Sequence, residues 1–203
     1  MIAVVDYGMC NLDSIRRALE ECDARVVVTD DPKVVIEADR CVVPGVGAFS
    51  RAAEYLRTHG LADALKTHAL VAERPLLGIC LGMQLLGEYS EEGAGGEGLG
   101  LIPARIVRLQ PTSERERVPH IGWNDVDPVR QSQILPDPQS SKDFYFVHSY
   151  CMVCEDPDNV AATTPYCGQL VSVVERGSVF GTQFHPEKSQ AVGFELLRNF
   201  LSA

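Results

Sequence analysis

The pentapeptide at positions 78–82 places Cys80 between two glycines, in a G-x-C-x-G pattern that follows an apolar run typical of a buried strand. On a sharp turn from a strand into a helix, a side chain is held above the edge of the sheet, and small residues on either side let the backbone turn. The positive end of the helix dipole also favours the thiolate form of a cysteine at that position. The pattern predicts a nucleophilic cysteine, although a buried cysteine between packing glycines explains these five residues equally well.

A histidine and a glutamate lie two positions apart at the end of another apolar run, as His185 and Glu187 with Pro186 between them. In extended chain, residues two apart share a face, so the carboxylate can hold the imidazole while its other nitrogen takes a proton from a nucleophile. The pair is a candidate base and orienting group for Cys80, while a solvated turn at the end of a strand is the simpler alternative. Only the fold can bring groups so far apart in the chain together.

A proline- and glycine-rich segment, Pro44 to Phe49, follows the third predicted strand. Gly45 and Gly47 would let backbone N–H groups approach a substrate oxygen closely, as an oxyanion hole requires. In a parallel sheet this loop lies at the same carboxyl edge as Cys80, where ligands bind. An ordinary turn would contain the same glycines. Only the position of the segment at the carboxyl edge of the sheet therefore supports its interpretation as an oxyanion-hole loop.

The elements that must position these segments are predicted from hydrophobic periodicity. Strands are predicted over residues 2–6, 25–29, 41–43 and 75–79, and helices over 12–22, 32–38, 50–56, 61–70 and 81–86. Strands and helices that alternate with short connections indicate right-handed βαβ units, with helices on both faces of a parallel sheet.

The second half of the chain has a different pattern. Residues 91–100 are predicted to form a glycine-rich loop, residues 105–109, 144–147, 159–163, 170–175 and 178–184 to form strands, and residues 190–201 to form a closing helix. The sequence therefore predicts one α/β domain over residues 1–203, with a mainly parallel sheet, helices on both faces and a β-rich second half.

The composition limits the partners and the compartment. The 203-residue chain carries a net charge of −10, whereas nucleic acid and anionic membranes require clustered lysine and arginine. We therefore expect no nucleic-acid partner and no membrane partner, and no apolar run reaches the roughly 18 residues of a membrane-spanning helix. The seven cysteines are an odd number, which favours a reducing cytoplasmic location.

In this order, the motifs resemble those of the class I, or triad-type, glutamine amidotransferases over essentially the full chain. The resemblance is carried by the Pro-Gly-Val-Gly loop, the Gly-Ile-Cys-Leu-Gly-Met-Gln elbow, the Val-His-Ser-Tyr segment at 147–150 and the Gln-Phe-His-Pro-Glu segment at 183–187. Two further segments, Asp-Tyr-Gly-Met-Cys-Asn-Leu at 6–12 and Pro-His-Ile-Gly-Trp-Asn at 119–124, are similar to the branch that serves histidine biosynthesis. Cys10 departs from that branch, in which many members have glycine.

The resemblance implies a role for each site residue. Cys80 would attack the side-chain amide of glutamine, His185 would carry the thiol proton to the departing ammonia, and Glu187 would orient His185. The oxyanion would be held by the backbone N–H groups of Val46, Gly47 and Leu81. Glutamine would be bound by Gly45, Gly47, Gln84, Ser149 and Tyr150. Neither a cofactor nor a metal is implied.

The same resemblance implies a heterodimer with a (β/α)8-barrel synthase, or cyclase, subunit that takes up the ammonia. Trp123, the only tryptophan, is a candidate anchor at that interface, although its local pattern fits a core position equally well. The interface residues implied are Pro119, Ile121, Trp123 and Asn124. We further hypothesise that the ligand state of the partner sets the geometry of the Val46 peptide and so gates hydrolysis.

The sequence leaves three alternative functions open. The chain could serve another class I partner, such as that of anthranilate or aminodeoxychorismate synthase, against which the segment at 6–12 argues. It could be a thiol hydrolase or peptidase on a similar sheet, which would not cleave glutamine. It could also be a regulatory module without catalysis, in which case an electrophilic glutamine analogue would not alkylate Cys80.

Overall fold

The computed structural model describes residues 1–137 and 139–203. The strands are β1 (Ile2–Val5), β2 (Val26–Thr29), β3 (Arg40–Val43), β4 (Leu76–Ile79), β5 (Tyr89–Ser90), β6 (Gly96–Glu97), β7 (Ala104–Arg108), β8 (His120–Pro128), β9 (Lys142–His148), β10 (Tyr150–Cys154), β11 (Val160–Thr164), β12 (Leu170–Arg176) and β13 (Val179–Thr182). The α-helices are α1 (Leu12–Glu21), α2 (Pro32–Glu37), α3 (Phe49–Thr58), α4 (Leu61–Lys66), α5 (Leu81–Leu85) and α6 (Gln190–Ser202). A π-helical turn, Thr67–Val71, continues α4, and 3-10 turns cover Pro157–Asn159 and Pro186–Lys188.

A nine-stranded mixed sheet in the order β2-β1-β3-β4-β13-β12-β11-β8-β9 forms the centre of the fold. The pairings from β2 through β13 are parallel, and those from β13 through β9 are antiparallel. A smaller sheet in the order β10-β7-β5-β6 lies beside it. Because β4 and β13 are parallel neighbours, with Ile79 paired with Thr182, the segments that follow these two strands leave the sheet at the same edge.

The core consists of two apolar clusters. Along β1, Ala3 and Val5 belong to one cluster and Ile2 and Val4 to the other, because successive residues of a strand point to opposite faces. Helices α2 to α5 contribute to the first cluster, and α1 and α6 contribute to the second. Burial on both faces explains why the parallel strands appear in the sequence as continuous apolar runs.

The predicted α/β class is confirmed, and most predicted elements begin and end within two residues of the observed ones. One local expectation differs. The glycine-rich segment at 91–100, predicted as a loop, contains strand β6, which pairs with β5. No helix within residues 1–137 and 139–203 is both long and apolar enough to span a bilayer.

Strand β8 was not predicted, although its nine residues make it the longest strand described. It pairs with β9 along its length, from His120 opposite His148 to Val126 opposite Lys142. Its residues alternate between buried or half-buried and exposed positions, so it lacks the apolar run that marks the central strands. Charged and turn-forming residues such as Asp125 and Gly122 further weakened the signal.

Candidate active site

Cys80 occupies the turn between β4 and α5 in a strained backbone conformation of positive φ, with φ 54° and ψ −108°. The two flanking glycines are required by close packing. A Cβ on Gly82 would lie 1.7 Å from the carbonyl oxygen of Val43, and one on Gly78 would lie 2.6 Å from the carbonyl oxygen of Gly82. The Cys80 N–H donates to the Thr182 carbonyl at 2.7 Å, which ties the turn to β13.

His185 and Glu187 follow β13 and are therefore at the same edge of the sheet as Cys80. The imidazole Nδ1 is 2.8 Å from Glu187 Oε1, and the two side chains are only 3% and 6% exposed. The His185 N–H donates to the Tyr145 carbonyl at 2.9 Å, and the Ser189 hydroxyl donates to the His185 carbonyl at 2.7 Å. The backbone of His185 is thus fixed from both sides.

The electrostatics of His185 couple it to both neighbours. Burial alone lowers the pKa of His185, but the side chains of Cys80 and Glu187 outweigh burial and raise it to about 9. Nδ1 faces Glu187, so Nε2 is the nitrogen available to the thiol; it makes no hydrogen bond of ordinary geometry with the described residues. This arrangement can stabilise an imidazolium beside a thiolate.

A cavity of about 320 Å³ opens above Cys80. Its lining includes Val46 and Gly47, Leu81 and Gln84, and the segment 147–150. Of the residues predicted to bind glutamine, Gly47, Gln84, Ser149 and Tyr150 therefore meet around one space. Gly45, also predicted to bind glutamine, is not one of the lining residues, and a Cβ there would lie 1.9 Å from the Tyr7 hydroxyl.

Two of the three candidate oxyanion donors, the N–H groups of Leu81 and Val46, are engaged within the protein. The Leu81 N–H donates to the Gly45 carbonyl at 3.4 Å, and the Val46 N–H donates to the Met9 carbonyl at 2.8 Å. Gly47 has φ 111°, a backbone conformation that residues other than glycine rarely adopt. In this conformation neither N–H of Leu81 and Val46 is free for a substrate oxygen, so their oxyanion role stays a prediction.

Three side chains at the cavity were missed by sequence reasoning. Glu92 and Arg108 line the cavity, and Glu92 also accepts from the Phe49 N–H at 2.8 Å. Gln183 is buried, and its Nε2 is 3.8 Å from Cys80 Sγ. A single carboxylate in a glycine-rich loop carries no periodic signal, whereas the position of Gln183, two residues before His185, could have suggested proximity to the site.

The predicted interface residues lie together on β8 and just before it, at the antiparallel end of the sheet. Ile121 and Trp123 are 61% and 48% exposed, and Pro119 is also exposed. The Trp123 ring packs edge-on against Tyr145, with centroids 6.1 Å apart. Asn124 differs, because its side chain turns inward and its Nδ2 is 3.2 Å from His120 Nε2.

An elbow cysteine, a histidine–glutamate pair and a flanking glycine loop at one edge of a mixed α/β sheet are the groups that a thiol-dependent enzyme of the triad type requires. The chain matches the model of the family described as glutamine amidotransferase class-I over residues 3–203, and it belongs to that family.

Similar proteins agree with this assignment. The chain is 46% identical to the imidazole glycerol phosphate synthase subunit HisH of Syntrophotalea carbinolica, with 98% of each chain covered. It is 44% identical to the subunit of the same name in Salinibacter ruber, covering 98% of this chain and 93% of the relative. Among solved structures, a glutamine amidotransferase superposes with a TM-score of 0.78 at 20% identity, covering 100% of this chain and 98% of the other. A glutamine amidotransferase from Thermotoga maritima gives a TM-score of 0.69 at 17% identity, covering 99% and 96%.

Proposed function

We propose that the chain is the glutaminase subunit of imidazole glycerol phosphate synthase and that residues 1–203 act as one amidotransferase domain. The subunit hydrolyses glutamine and passes ammonia to a synthase subunit, which forms imidazole glycerol phosphate and aminoimidazole carboxamide ribotide. The observation that carries the proposal is the meeting of Cys80, His185 and Glu187 at one edge of the sheet. The names of relatives more than 40% identical over nearly the whole chain support the choice of synthase.

In the mechanism we propose, Cys80 provides the attacking electron pair. The thiolate adds to the side-chain carbonyl carbon of glutamine, and the carbonyl oxygen becomes the oxyanion. The oxyanion intermediate collapses as the imidazolium of His185 gives its proton to the departing nitrogen, which releases ammonia and leaves a thioester. His185 then takes a proton from water, the hydroxide adds to the thioester, and the second intermediate expels the thiolate to give glutamate.

The cavity fits the main-chain end of glutamine as well as its amide. Glu92 is an acidic side chain on the lining, half-buried and anchored on the Phe49 N–H, so it suits the α-ammonium group. Arg108 lies on the same lining and suits the α-carboxylate. Gln84, Ser149 and Tyr150 line the same cavity.

The Leu81 and Val46 N–H groups are already hydrogen-bonded within the protein, and this supports a glutaminase whose activity is gated. Because Leu81 donates to Gly45 and Val46 donates to Met9, an oxyanion would find neither donor without a rearrangement of the loop. One missing oxyanion donor costs roughly 100- to 1000-fold in turnover. We propose that the ligand state of the synthase turns the Val46 peptide, so that glutamine is consumed only when its ammonia can be used.

The partner we propose is a (β/α)8-barrel synthase subunit bound as a heterodimer. The exposed apolar residues of β8, Ile121 and Trp123, suit the centre of such an interface. The carboxyl edge that holds Cys80 is also the edge from which ammonia would leave the cavity. A shielded path across the interface would keep ammonia unprotonated on its way to the second active site.

Labelling with an electrophilic glutamine analogue tests the proposal. We expect Cys80 to be alkylated in the complex with the synthase subunit, faster in the presence of its nucleotide substrate, and Cys80→Ser to abolish both labelling and glutaminase activity. Cys154→Ser is the matched control, because that half-buried cysteine lies on β10, and it should label like the wild type.

Three results would each contradict a different part of this proposal. Alkylation of other cysteines but not of Cys80 in the complex would support a module without catalysis. Full glutaminase turnover by the isolated subunit would refute the gating mechanism while leaving the glutaminase assignment intact. Activation by an anthranilate synthase subunit instead would favour another partner within the same family.

A further inference from the structure

A line of buried side-chain hydrogen bonds runs from β8 to the wall of the cavity. Asn124 Nδ2 is 3.2 Å from His120 Nε2, and His120 Nδ1 is 3.0 Å from His148 Nε2. His148 Nδ1 is 2.8 Å from the Tyr150 carbonyl oxygen. Each imidazole therefore uses both of its ring nitrogens within this line.

Both ends of this line of hydrogen bonds require every donor in it to point from Asn124 towards Tyr150. At the inner end, the Tyr150 carbonyl can only accept, so His148 must carry its proton on Nδ1 and accept at Nε2. His120 must then donate from Nδ1 and accept at Nε2. At the outer end, Asn124 Oδ1 already accepts from the Asp125 N–H at 2.9 Å, which turns the NH₂ group of Asn124 towards His120. One pattern of protons satisfies every member.

The packing around the pair holds both rings neutral. His120 is stacked between Tyr166, at a centroid distance of 3.9 Å, and Phe146, at 4.8 Å. Burial lowers the pKa of His120 to about 4. Burial also lowers the pKa of His148 to about 3, although the hydrogen bond with the Tyr150 carbonyl opposes this change. Neither imidazole is charged near neutral pH, so the proton pattern is that of two neutral tautomers.

The inner end of the line meets the groups of the candidate site. The Tyr150 carbonyl also accepts from Gln84 Nε2 at 3.0 Å, and the same Nε2 is 3.2 Å from Gln183 Oε1. This orients the Gln183 amide so that its NH₂ group faces Cys80 Sγ, 3.8 Å away. Tyr150 is thus the point at which the histidine pair can influence both Gln84 and the nucleophile.

We propose that His120 and His148 are positioning residues, held as a pair of Nδ1–H tautomers that fix the Tyr150 carbonyl and the Gln84 amide on the glutamine-binding wall. The effect on glutamine rests on the function proposed above, whereas the tautomers do not. Neither histidine touches the reacting atoms. Their contribution is to hold the wall in the geometry that binds glutamine.

The tautomers can be read from long-range proton–nitrogen correlation spectra of the full chain near neutral pH. We expect both His120 and His148 to carry the proton on Nδ1. His68 provides an internal contrast, because its Nε2 faces the Pro75 carbonyl at 3.2 Å and should carry the proton there. Protonation of His148 on Nε2 would overturn the proposal.

Kinetics in the complex with the synthase subunit test what the pair does. His120→Phe keeps an aromatic ring between Tyr166 and Phe146 but removes the donor to His148. We expect the KM for glutamine to rise about three- to tenfold, the effect of about one lost hydrogen bond, with little change in kcat. His120→Asn places an amide near the former Nδ1 and should restore most of the KM.

The outcomes separate this proposal from a structural role and from failure of the function. A merely structural role would lower the active fraction, and hence kcat, and leave KM unchanged. An unchanged KM in His120→Phe, or a His120→Asn variant no better than His120→Phe, would overturn the proposal. Absence of glutamine cleavage by the wild-type complex would refute the proposed function. The tautomers of His120 and His148 would then test, without any kinetics, whether the hydrogen bonds run in the direction proposed.

Discussion

At the scale of single residues, the proposed nucleophile, Cys80, has a strained backbone conformation. Cys80 has φ 54°, and such a conformation costs a residue other than glycine on the order of 1–3 kcal/mol. The close contact of Gly82 with Val43 and the hydrogen bond from Cys80 to Thr182 hold the turn in place. The surrounding structure therefore enforces a geometry that the residue itself disfavours, and it exposes the thiol to the cavity.

Glu187 is the residue whose removal tests the histidine–glutamate pair most directly. Glu187→Gln replaces the carboxylate at 2.8 Å from Nδ1 with an amide that neither fixes the tautomer nor stabilises the imidazolium. We expect kcat for glutamine hydrolysis in the complex to fall roughly 100- to 10,000-fold, the usual range for an acid–base group, with a smaller change in KM. Steady-state glutamate release measures both.

Glu195→Gln is the matched control for this variant, because Glu195 is an exposed glutamate on α6. It should behave as the wild type. If Glu187→Gln kept a wild-type kcat, the carboxylate would have no part in the reaction and the triad assignment would be wrong.

At the scale of elements, the pairing of β4 with β13 is the decisive contact. The two strands are far apart in the chain, yet they are parallel neighbours in register from Leu76–Val179 to Ile79–Thr182. This one ladder places the turn that carries Cys80 beside the turn that carries His185. The antiparallel end of the sheet, β8 with β9, supplies the edge on which Trp123 and the inward-facing Asn124 and His120 lie.

The β8 edge yields a prediction for the partner surface. Trp123→Ala removes a side chain that is 48% exposed and packs edge-on against Tyr145. We expect it to weaken activation by the synthase subunit more than folding, with the free energy of unfolding changing by about 0.5 kcal/mol or less. Glutaminase activation and affinity for the subunit, measured beside urea unfolding, separate the two effects.

Val129→Ala is the control for the Trp123 variant, because Val129 is an exposed apolar residue just beyond the same strand. It should leave both activation and stability near wild type. Wild-type affinity and activation in Trp123→Ala would remove Trp123 from the interface.

At the scale of the whole molecule, buried histidines link stability to pH. The pKa of His120 is lowered to about 4 and that of His148 to about 3, from 6.5, and burial lowers that of His68 as well. Their unfolded forms take up protons below about pH 6.5 while the folded forms do not. His185 acts in the opposite sense, because its raised pKa gives stability that is fully present below 6.5 and is lost as the pH rises through about 9.

We therefore expect the free energy of unfolding to be greatest near pH 6.5 and to fall as the solution is acidified towards pH 4.5. The slope should approach about 1.4 kcal/mol per pH unit for each histidine that stays neutral when folded. Urea unfolding across this window measures it, above the range in which most carboxylates titrate. His120→Phe should reduce the slope by the share of one group, and a stability independent of pH between 6.5 and 5 would contradict the expectation.

Much of the site could be predicted because it is encoded locally. The glycines around Cys80 and the spacing of His185 and Glu187 are visible as short patterns, and apolar runs give the central strands. Strand β8 and the partners of His120 could not be found in this way. A half-exposed strand has no apolar run, and the contacts of His120 are made with Phe146, His148 and Tyr166, which only the pairing of β8 with β9 and the return of the chain after β11 bring near.

The sequence alone determined the chemistry of the groups and the α/β class, because nucleophile, base and strand periodicity are properties of neighbouring residues. The tertiary structure decided which groups meet: the turns of Cys80 and His185 at one edge of the sheet, His148 at the Tyr150 carbonyl, and the Leu81 and Val46 N–H groups at the carbonyls of Gly45 and Met9. These contacts join segments that are distant in the chain. Their geometry is fixed by sheet register and packing, to which no local pattern corresponds.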